Sequence, residues 1–133
     1  MAAQAQFRVI YGDTDAMGFA YYGNYLKWFE IGRAEWFRET GTSYREIEQG
    51  GTYLPVVEAH CSYIHPAFYD DVLTISTSFT FAGPARLRFD YEIMRGDEII
   101  TTGYTLHVCM NRERKVQKPP GFLRKLLESG KNL

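Results

Sequence analysis

The chain has 133 residues, which is enough for one domain and leaves little room for two. Its formal net charge is −1, so no overall positive field draws it to nucleic acid or to an anionic membrane. Aromatic residues make up 16% of the chain, which predicts a core or a subunit interface built from large rings.

The first residues, MAAQAQF, lack the apolar run and cleavage pattern of a secretory signal, and no window approaches the ~18 apolar residues of a membrane span. Cys61 and Cys109 lie in hydrophobic, strand-like segments. We therefore expect a cytoplasmic protein with reduced, buried thiols. His60 precedes Cys61, but neighbouring residues of a strand point to opposite faces, so a catalytic Cys–His pair is not expected there.

The N-terminal part of the chain predicts one strand and one long helix. Residues 6–11, QFRVIY, are rich in strand formers, and DTDAMG breaks that strand. Helical spacing of apolar residues extends over residues 22–40, and Gly41 predicts the stop. This row consists of Tyr22, Tyr25, Leu26, Phe29, Arg33, Trp36 and Phe37. Gly32 interrupts the row, and a close approach of the helix to a covering sheet would explain a glycine there.

Residues 42–53 predict a short helical turn and a Gly-Gly loop. Four strands are predicted after this segment, over residues 54–64, 72–81, 85–94 and 98–110. Clean alternation of apolar and polar residues predicts an antiparallel sheet with one buried face. One face of the last strand is predicted to hold Ile100, Thr102, Tyr104, Leu106, Val108 and Met110. Gly83-Pro84 and Gly96-Asp97 predict turns, and residues 122–127 a short helix. This order indicates an α+β domain, with one long helix against a curved sheet.

Several common catalytic motifs are absent from the sequence. It has no phosphate-binding glycine loop, no GxGxxG fingerprint and no GxSxG nucleophile elbow. His60, His65 and His107 show no helical metal-ligand spacing, and the two cysteines are far apart. We therefore expect neither a metal nor a redox cofactor.

Two acids stand between the first strand and the long helix. A turn interpretation fits both Asp13 and Asp15, because aspartate side chains bind nearby backbone amides. Asp15 also precedes a helix N-terminus, whose unpaired N–H groups carry partial positive charge and can hold a developing oxyanion. A carboxylate opposite such groups could attack a carbonyl or activate water. Spacing alone leaves both interpretations open for Asp15.

The segment DTDAMGFAYYGNYLKWFE resembles the 4-hydroxybenzoyl-CoA thioesterase family, including the acyl-CoA thioesterases of the Tol–Pal gene cluster. The resemblance extends over the chain through the DxDxxG motif, the helix NYxxWFE, the strand entry LPVV and the segment YDDVLTI. It implies a single hotdog domain over residues 1–133, in which a sheet wraps a long central helix. It also implies dimers, often doubled to tetramers, with active sites at the dimer interface.

The resemblance implies roles for individual residues. Asp15 matches the catalytic carboxylate, as nucleophile or as general base for water, and the backbone N–H of Tyr22, beside Gly23, matches the donor to the thioester oxygen. Leu54, Pro55 and Val56 match the segment that lines the acyl pocket. The candidates for contact with the nucleotide phosphates of CoA are Arg86, Arg88, Arg114 and Lys115.

The expected reaction is hydrolysis of an acyl-CoA or aroyl-CoA thioester to the free acid and CoA. Many bacterial members of the family have His where this chain has Tyr22, whereas the benzoyl-type enzyme has Tyr. Tyr22 therefore favours an aromatic acyl group and makes the hydroxynaphthoyl-CoA thioesterases possible relatives. Two other interpretations remain. A hotdog dehydratase would use a helix His, which residues 22–40 lack. A non-catalytic domain that binds acyl-CoA or a partner protein would not depend on Asp15.

Overall fold

The computed structural model describes residues 2–130 as one antiparallel sheet packed on a long helix. The helices are α1 (Asn24–Glu39), α2 (Tyr44–Gln49) and α3 (Gly121–Gly130), and a 3-10 turn covers Tyr11–Asp13. The strands are β1 (Ala3–Arg8), β2 (Val56–Tyr63), β3 (Val72–Phe81), β4 (Arg86–Arg95), β5 (Glu98–Met110) and β6 (Val116–Gln117). The predicted α+β class is confirmed. No helix in residues 2–130 combines the length and apolar character needed to cross a membrane.

The sheet has the order β1-β3-β4-β5-β2, and the short β6 pairs with β5. Neighbouring strands are antiparallel throughout this order. Two predicted turns connect its strands: Gly83 has φ +126° before β4, and Gly96 has φ +60° in the hairpin between β4 and β5. Glycine adopts these angles at little cost because it has no Cβ. β1 and β2 are the outer strands of the order, so each has one edge without a partner in residues 2–130.

The concave face of the sheet packs on α1 through aromatic rings. Phe29, Trp36 and Phe37 are fully buried on the helix, and Phe29 stacks on Tyr91 of β4 with 4.2 Å between ring centroids. A fully buried ring of this size stabilises the fold by roughly 1.5–3 kcal/mol. A Cβ at Gly32 would overlap Thr77 Oγ1 of β3, so the predicted close approach of helix and sheet is confirmed.

Two sequence predictions need correction. The first strand begins and ends earlier than residues 6–11, because Ala3–Arg8 pair with β3 and Tyr11 enters the 3-10 turn. The predicted face of β5 is also wrong: beyond Ile100 the buried residues are Thr101, Thr105, His107 and Cys109. A register shift at Ile93/Met94 interrupts the pairing of β4 with β5, so Ile100 and Thr101 are both buried despite being adjacent. The helix side of β5 needs small residues, because a Cβ at Gly103 would lie 2.5 Å from the Phe29 ring.

A chain of hydrogen bonds crosses the core behind α1. The guanidinium of Arg33 donates from Nη1 to the Tyr91 hydroxyl (3.0 Å), which lies 2.6 Å from Thr105 Oγ1. Thr105 Oγ1 lies 2.8 Å from Nε2 of His107, whose Nδ1 lies 2.9 Å from the carbonyl oxygen of Leu54. Burial lowers the pKa of His107 to about 4, so this imidazole is neutral at neutral pH. A carbonyl only accepts, so the single proton lies on Nδ1 and Nε2 accepts from the Thr105 hydroxyl. Because Thr105 uses its proton in this bond, the Tyr91 hydroxyl donates to Thr105 Oγ1.

Candidate active site

Asp15 lies in a tight turn between the 3-10 helix and α1. Its backbone N–H donates to the Phe19 carbonyl (3.1 Å), and its own carbonyl accepts from the Gly18 N–H (3.0 Å). Gly18 has φ +91°, a conformation that favours glycine. The Met17 N–H donates to Asp15 Oδ1 (2.9 Å), whereas Oδ2 accepts no hydrogen bond within residues 2–130. The turn thus fixes the carboxylate through one oxygen and leaves the other available.

Asp13 has a different environment, and the turn interpretation is confirmed for it. The residue is 9% exposed, and its Oδ2 accepts the Ile10 N–H (3.0 Å). Its carbonyl accepts from the Tyr21 N–H (2.8 Å) and from the side-chain amide of Asn24 (2.7 Å). Asp13 therefore ties the 3-10 turn to the start of α1.

A cavity of about 290 Å³ opens beside Asp15. Its lining is mostly apolar and aromatic, and consists of Asp15, Met17, Phe19, Ala20, Tyr22, Tyr25, Tyr63, Ile64, His65 and Pro66. Tyr63, at the end of β2, donates its hydroxyl proton to the Tyr22 carbonyl (3.0 Å). Desolvation is the main reason why the pKa of Tyr63 is raised, so this phenol stays protonated at neutral pH. The cavity thus combines apolar and aromatic walls with one carboxylate.

The N-terminus of α1 reaches the same cavity. Gly23 is its N-cap, with φ −66°, and no side chain caps the helix. The backbone N–H groups of Tyr22 and Gly23 find no acceptor in the described part of the chain. Such groups at a helix N-terminus carry partial positive charge and bind oxyanions. The structure thus brings Asp15 and Tyr22 to one cavity, and Gly23 follows Tyr22 in the chain.

Leu54, Pro55 and Val56 lie at the opposite end of the sheet. Tyr63, beside Asp15, pairs with Thr101, whereas the Pro55 carbonyl accepts from the Val108 N–H (3.3 Å). Thr101 and Val108 are seven residues apart on β5, or ~23 Å at ~3.3 Å per residue. Within one chain, the predicted acyl-pocket segment is therefore not at the Asp15 cavity.

The predicted CoA-binding residues also lie at this far end of the sheet. Arg86 is exposed opposite Val108, and Arg114 and Lys115 are exposed in the turn between β5 and β6. Arg88 is already engaged, because its Nη2 lies 2.9 Å from Asp90 Oδ1 and its guanidinium carbon 4.1 Å from the centroid of the Tyr104 ring. Arg86, Arg114 and Lys115 form no ion pair within residues 2–130, so they are freer than Arg88 to meet a phosphate.

Sequence reasoning missed most of the cavity wall. Tyr63 is the last residue of β2 and His65 follows the strand, and their place in the chain gives no sign that they meet Asp15. The described residues contain no group of three or more His, Cys, Asp or Glu side chains suited to a metal ion. His60 and Cys61 diverge as predicted: His60 stacks on Tyr104 of the outer face, while Cys61 packs against the core.

Comparisons with known proteins agree on the family. The model of the thioesterase-like superfamily matches residues 9–127. A 1,4-dihydroxy-2-naphthoyl-CoA hydrolase of Synechococcus elongatus is 31% identical over 121 residues, which cover 88% of this chain and 89% of that protein. A 4-hydroxybenzoyl-CoA thioesterase of Pseudomonas is 35% identical over 75 residues, or 54% of this chain and 53% of that protein.

The fold comparison agrees. The crystal structure of a DHNA-CoA thioesterase from Staphylococcus aureus superposes with a TM-score of 0.91 at 26% identity, covering 98% of this chain and 91% of that one. The sheet order, the central helix and these matches confirm the predicted hotdog fold and the predicted family. The chain therefore belongs to the thioesterase-like superfamily and is a thioester hydrolase.

Proposed function

We propose that the chain hydrolyses acyl-CoA or aroyl-CoA thioesters to the free acid and CoA, with Asp15 as the catalytic carboxylate. The observation that supports this most directly is the position of Asp15: its Oδ2 accepts no hydrogen bond from residues 2–130, and it lines an apolar cavity at the unpaired N–H groups of α1. A thioester carbonyl in this cavity would have a carboxylate on one side and oxyanion donors on the other.

Two routes use the same residues. In the first, Asp15 attacks the thioester carbon, the amides of Tyr22 and Gly23 hold the tetrahedral oxyanion, and CoA leaves as the thiolate. Water then hydrolyses the resulting anhydride and regenerates the carboxylate. In the second, Asp15 takes a proton from water as the water attacks the same carbon. Both routes need an ionised Asp15.

An aromatic acyl group fits the cavity best. Phe19, Tyr22, Tyr25 and Tyr63 contribute rings to its wall, and aromatic rings attract one another through edge and offset contacts. The two curated relatives described above are named for hydroxynaphthoyl and hydroxybenzoyl thioesters. We therefore expect aroyl-CoA to be turned over faster than straight-chain acyl-CoA.

We propose further that the working unit is a homodimer, with a tetramer as the expected larger assembly. β2 has one edge without a partner in residues 2–130, and such an edge is a template for pairing with another chain. If two copies pair through antiparallel β2 strands, the Tyr63 end of one strand meets the Val56 end of the other. That pairing would join Asp15 of one subunit to the segment of Leu54, Pro55 and Val56 in the next.

The same arrangement would bring the basic end of the second sheet towards the CoA moiety. Arg86, Arg114 and Lys115 would then contact nucleotide phosphates, and Arg88 would do so once released from Asp90. Substituting Arg114 with Ala should raise KM for the CoA thioester and leave kcat nearly unchanged, because the contact holds the substrate without stabilising the transition state selectively.

The decisive experiment is thiol release from a panel that contains acetyl-, hexanoyl-, palmitoyl-, benzoyl-, hydroxybenzoyl-, phenylacetyl- and hydroxynaphthoyl-CoA. Asp15→Asn should lower kcat by at least about 100-fold, because general acid–base catalysis alone is worth roughly that much. Asp97→Asn is the matched control, since Asp97 is exposed in the β4–β5 hairpin. Circular dichroism checks that each variant is folded.

Full turnover by a folded Asp15→Asn enzyme would overturn the assignment of Asp15. Thioester binding by the wild type without any thiol release would instead support the binding-domain interpretation.

Acid quenching distinguishes the two routes. An acyl group attached to Asp15 should appear by mass spectrometry during the first turnover if Asp15 is the nucleophile. The general-base route forms no such adduct at any time point.

A further inference from the structure

Arg33 brings a positive charge into the core without a matching carboxylate. The residue is 8% exposed, and its guanidinium donates from Nε to the Tyr44 hydroxyl (3.1 Å) and from Nη1 to the Tyr91 hydroxyl (3.0 Å). None of the ion pairs formed by residues 2–130 includes Arg33. Burying a charge without a counter-ion costs desolvation free energy, so we expect the Arg33 guanidinium to interact with a further group.

The charge cannot be removed by loss of a proton. Arginine stays protonated in proteins, and interaction with Tyr91 and Tyr44 outweighs burial, so the pKa of Arg33 is raised further. Two of the five N–H bonds of a guanidinium are used by the tyrosines. The others, including both on Nη2, have no acceptor in the part of the chain described by the structure, so they await water or a ligand.

Arg33 also lines a cavity. This cavity measures about 710 Å³, lies between α1 and α2, and is distinct from the cavity of Asp15. Its lining consists of Glu30, Arg33, Ala34, Arg38, Ser43, Tyr44, Arg45, Glu48, Gln49 and Leu54. The volume falls in the range of small-molecule sites. Arg33 and Tyr44 are held in place, so an entering anion would meet a preorganised donor.

The charges around the cavity limit the net charge that a ligand can carry. Arg45 adds a second positive charge, and Arg38 is partly neutralised by Glu35 (3.4 Å). Glu30 and Glu48 also line the cavity and oppose a multiply charged anion. The wall also contains the ring of Tyr44 and the aliphatic side chains of Ala34 and Leu54, which favour a ligand with an organic body. A carboxylate has a planar pair of oxygens that matches the guanidinium fork, and its single charge is repelled less by Glu30 and Glu48 than the charge of a dianion.

We propose that the cavity between α1 and α2 is a binding site for an organic monocarboxylate, with Arg33 as its anchor. Within one chain the site contains neither Asp15 nor the N-terminus of α1, and it shares only Leu54 with the segments assigned to the proposed active centre. Carboxylic acids are the class of compound that thioester hydrolysis releases, so the proposed occupant shares the chemistry of the product.

Calorimetric titration of the full chain tests the proposal, with sodium benzoate as the probe. Benzamide serves as the neutral analogue of the same shape, and inorganic phosphate as the multiply charged anion, all at equal ionic strength. We expect saturable binding of benzoate with one site per chain, no binding of benzamide, and at least tenfold weaker binding of phosphate. Failure of benzoate to bind, or tighter binding of phosphate, would overturn the proposal.

Two variants locate the binding. Arg33→Met removes the charge with little change in length and should weaken benzoate binding by at least about tenfold, as expected for a lost charged hydrogen bond. Ala34→Phe fills the cavity and leaves Arg33 in place, so it serves even if Arg33→Met does not fold. Arg124→Met changes an exposed arginine of α3, so it is the control and should bind like the wild type.

Benzoate affinity that is unchanged in both folded cavity variants would place the anion elsewhere and refute the site. The titration is repeated on Asp15→Asn, where we expect undiminished affinity. The titration of Asp15→Asn separates the two proposals. The cavity between α1 and α2 can bind benzoate in an enzyme that has no turnover, and turnover can persist in a chain whose α1–α2 cavity binds no benzoate.

Discussion

Removal of the Tyr91 hydroxyl should destabilise the protein far more than removal of an exposed tyrosine hydroxyl. Tyr91→Phe keeps the ring that stacks on Phe29, so the packing is conserved and the lost contacts are hydrogen bonds. The hydroxyl accepts from the Arg33 guanidinium at 3.0 Å and lies 2.6 Å from Thr105 Oγ1. The charged bond is worth about 1.5–3 kcal/mol and the neutral one about 0.5–1.5 kcal/mol. We expect the free energy of unfolding to fall by about 2–4.5 kcal/mol.

Urea unfolding with linear extrapolation measures this loss, at a single protein concentration because assembly adds a concentration-dependent term. Tyr104→Phe is the matched control: its hydroxyl donates to Glu58 (2.7 Å) on the exposed outer face of the sheet. This change should cost less than about 1 kcal/mol, because water replaces the lost partner. Equal losses for the two variants would show that the buried chain from Arg33 to Leu54 contributes no more than a surface contact, which would refute the reasoning.

Three further predictions concern stability. Burial lowers the pKa of His107 to about 4 from the ordinary 6.5, so between these pH values the unfolded chain binds the proton more readily than the folded chain. The free energy of unfolding should therefore fall by about 3 kcal/mol as the pH drops from 6.5 to 4. His107→Gln should remove this part of the pH dependence. Gly32→Ala should lower the free energy of chemical unfolding by about 1–3 kcal/mol, because the new Cβ meets Thr77. Gly12→Ala should lower it by less than about 1 kcal/mol, because a Cβ at Gly12 has no heavy atom within 4 Å. Similar losses for the two variants would argue against the close approach of helix and sheet. Asp13→Ala should lower the free energy of unfolding by about 1 kcal/mol, because the hydrogen bond from the Ile10 N–H is lost. The kcat of the folded enzyme should stay unchanged, so a large fall in kcat would contradict the turn role of Asp13.

Local patterns predicted the elements well. The bounds of β3 and β5 match the predicted residues 72–81 and 98–110, and α1 begins two residues later and ends one residue earlier than predicted. These elements have strong periodicity and glycine-marked ends, such as Gly41 with φ +96°, so short-range information determines them.

The face of β5 could not be predicted because its alternation is ambiguous. Small polar residues occupy the helix side, where Phe29 leaves no room for large ones, and larger apolar residues such as Leu106 and Val108 lie on the outer side. A hydrophobicity pattern read without the helix therefore selects the wrong face beyond Ile100. The register shift at Ile93/Met94 changes the phase further, and nothing in the sequence marks it.

The candidate site was predictable in part. Asp15 and Tyr22 are close in sequence, so one motif predicts both, and the structure places them on one cavity. Tyr63 joins that cavity through pairing of β2 with β5, which sequence order does not reveal. Helical spacing places Arg33 in the apolar row of α1, but its partner Tyr91 lies 58 residues away, so spacing does not predict its buried hydrogen bonds.

The separation of Asp15 from Leu54 along the sheet has a genetic consequence. If each active centre combines Asp15 of one subunit with the Leu54 segment of its partner, two inactive alleles can complement each other. A chain altered at Asp15 and a chain altered at Leu54 would form mixed dimers in which one centre carries both defects and the other carries none. Co-expression of the two alleles would then restore a fraction of the wild-type turnover, a result that independent single-chain centres cannot produce.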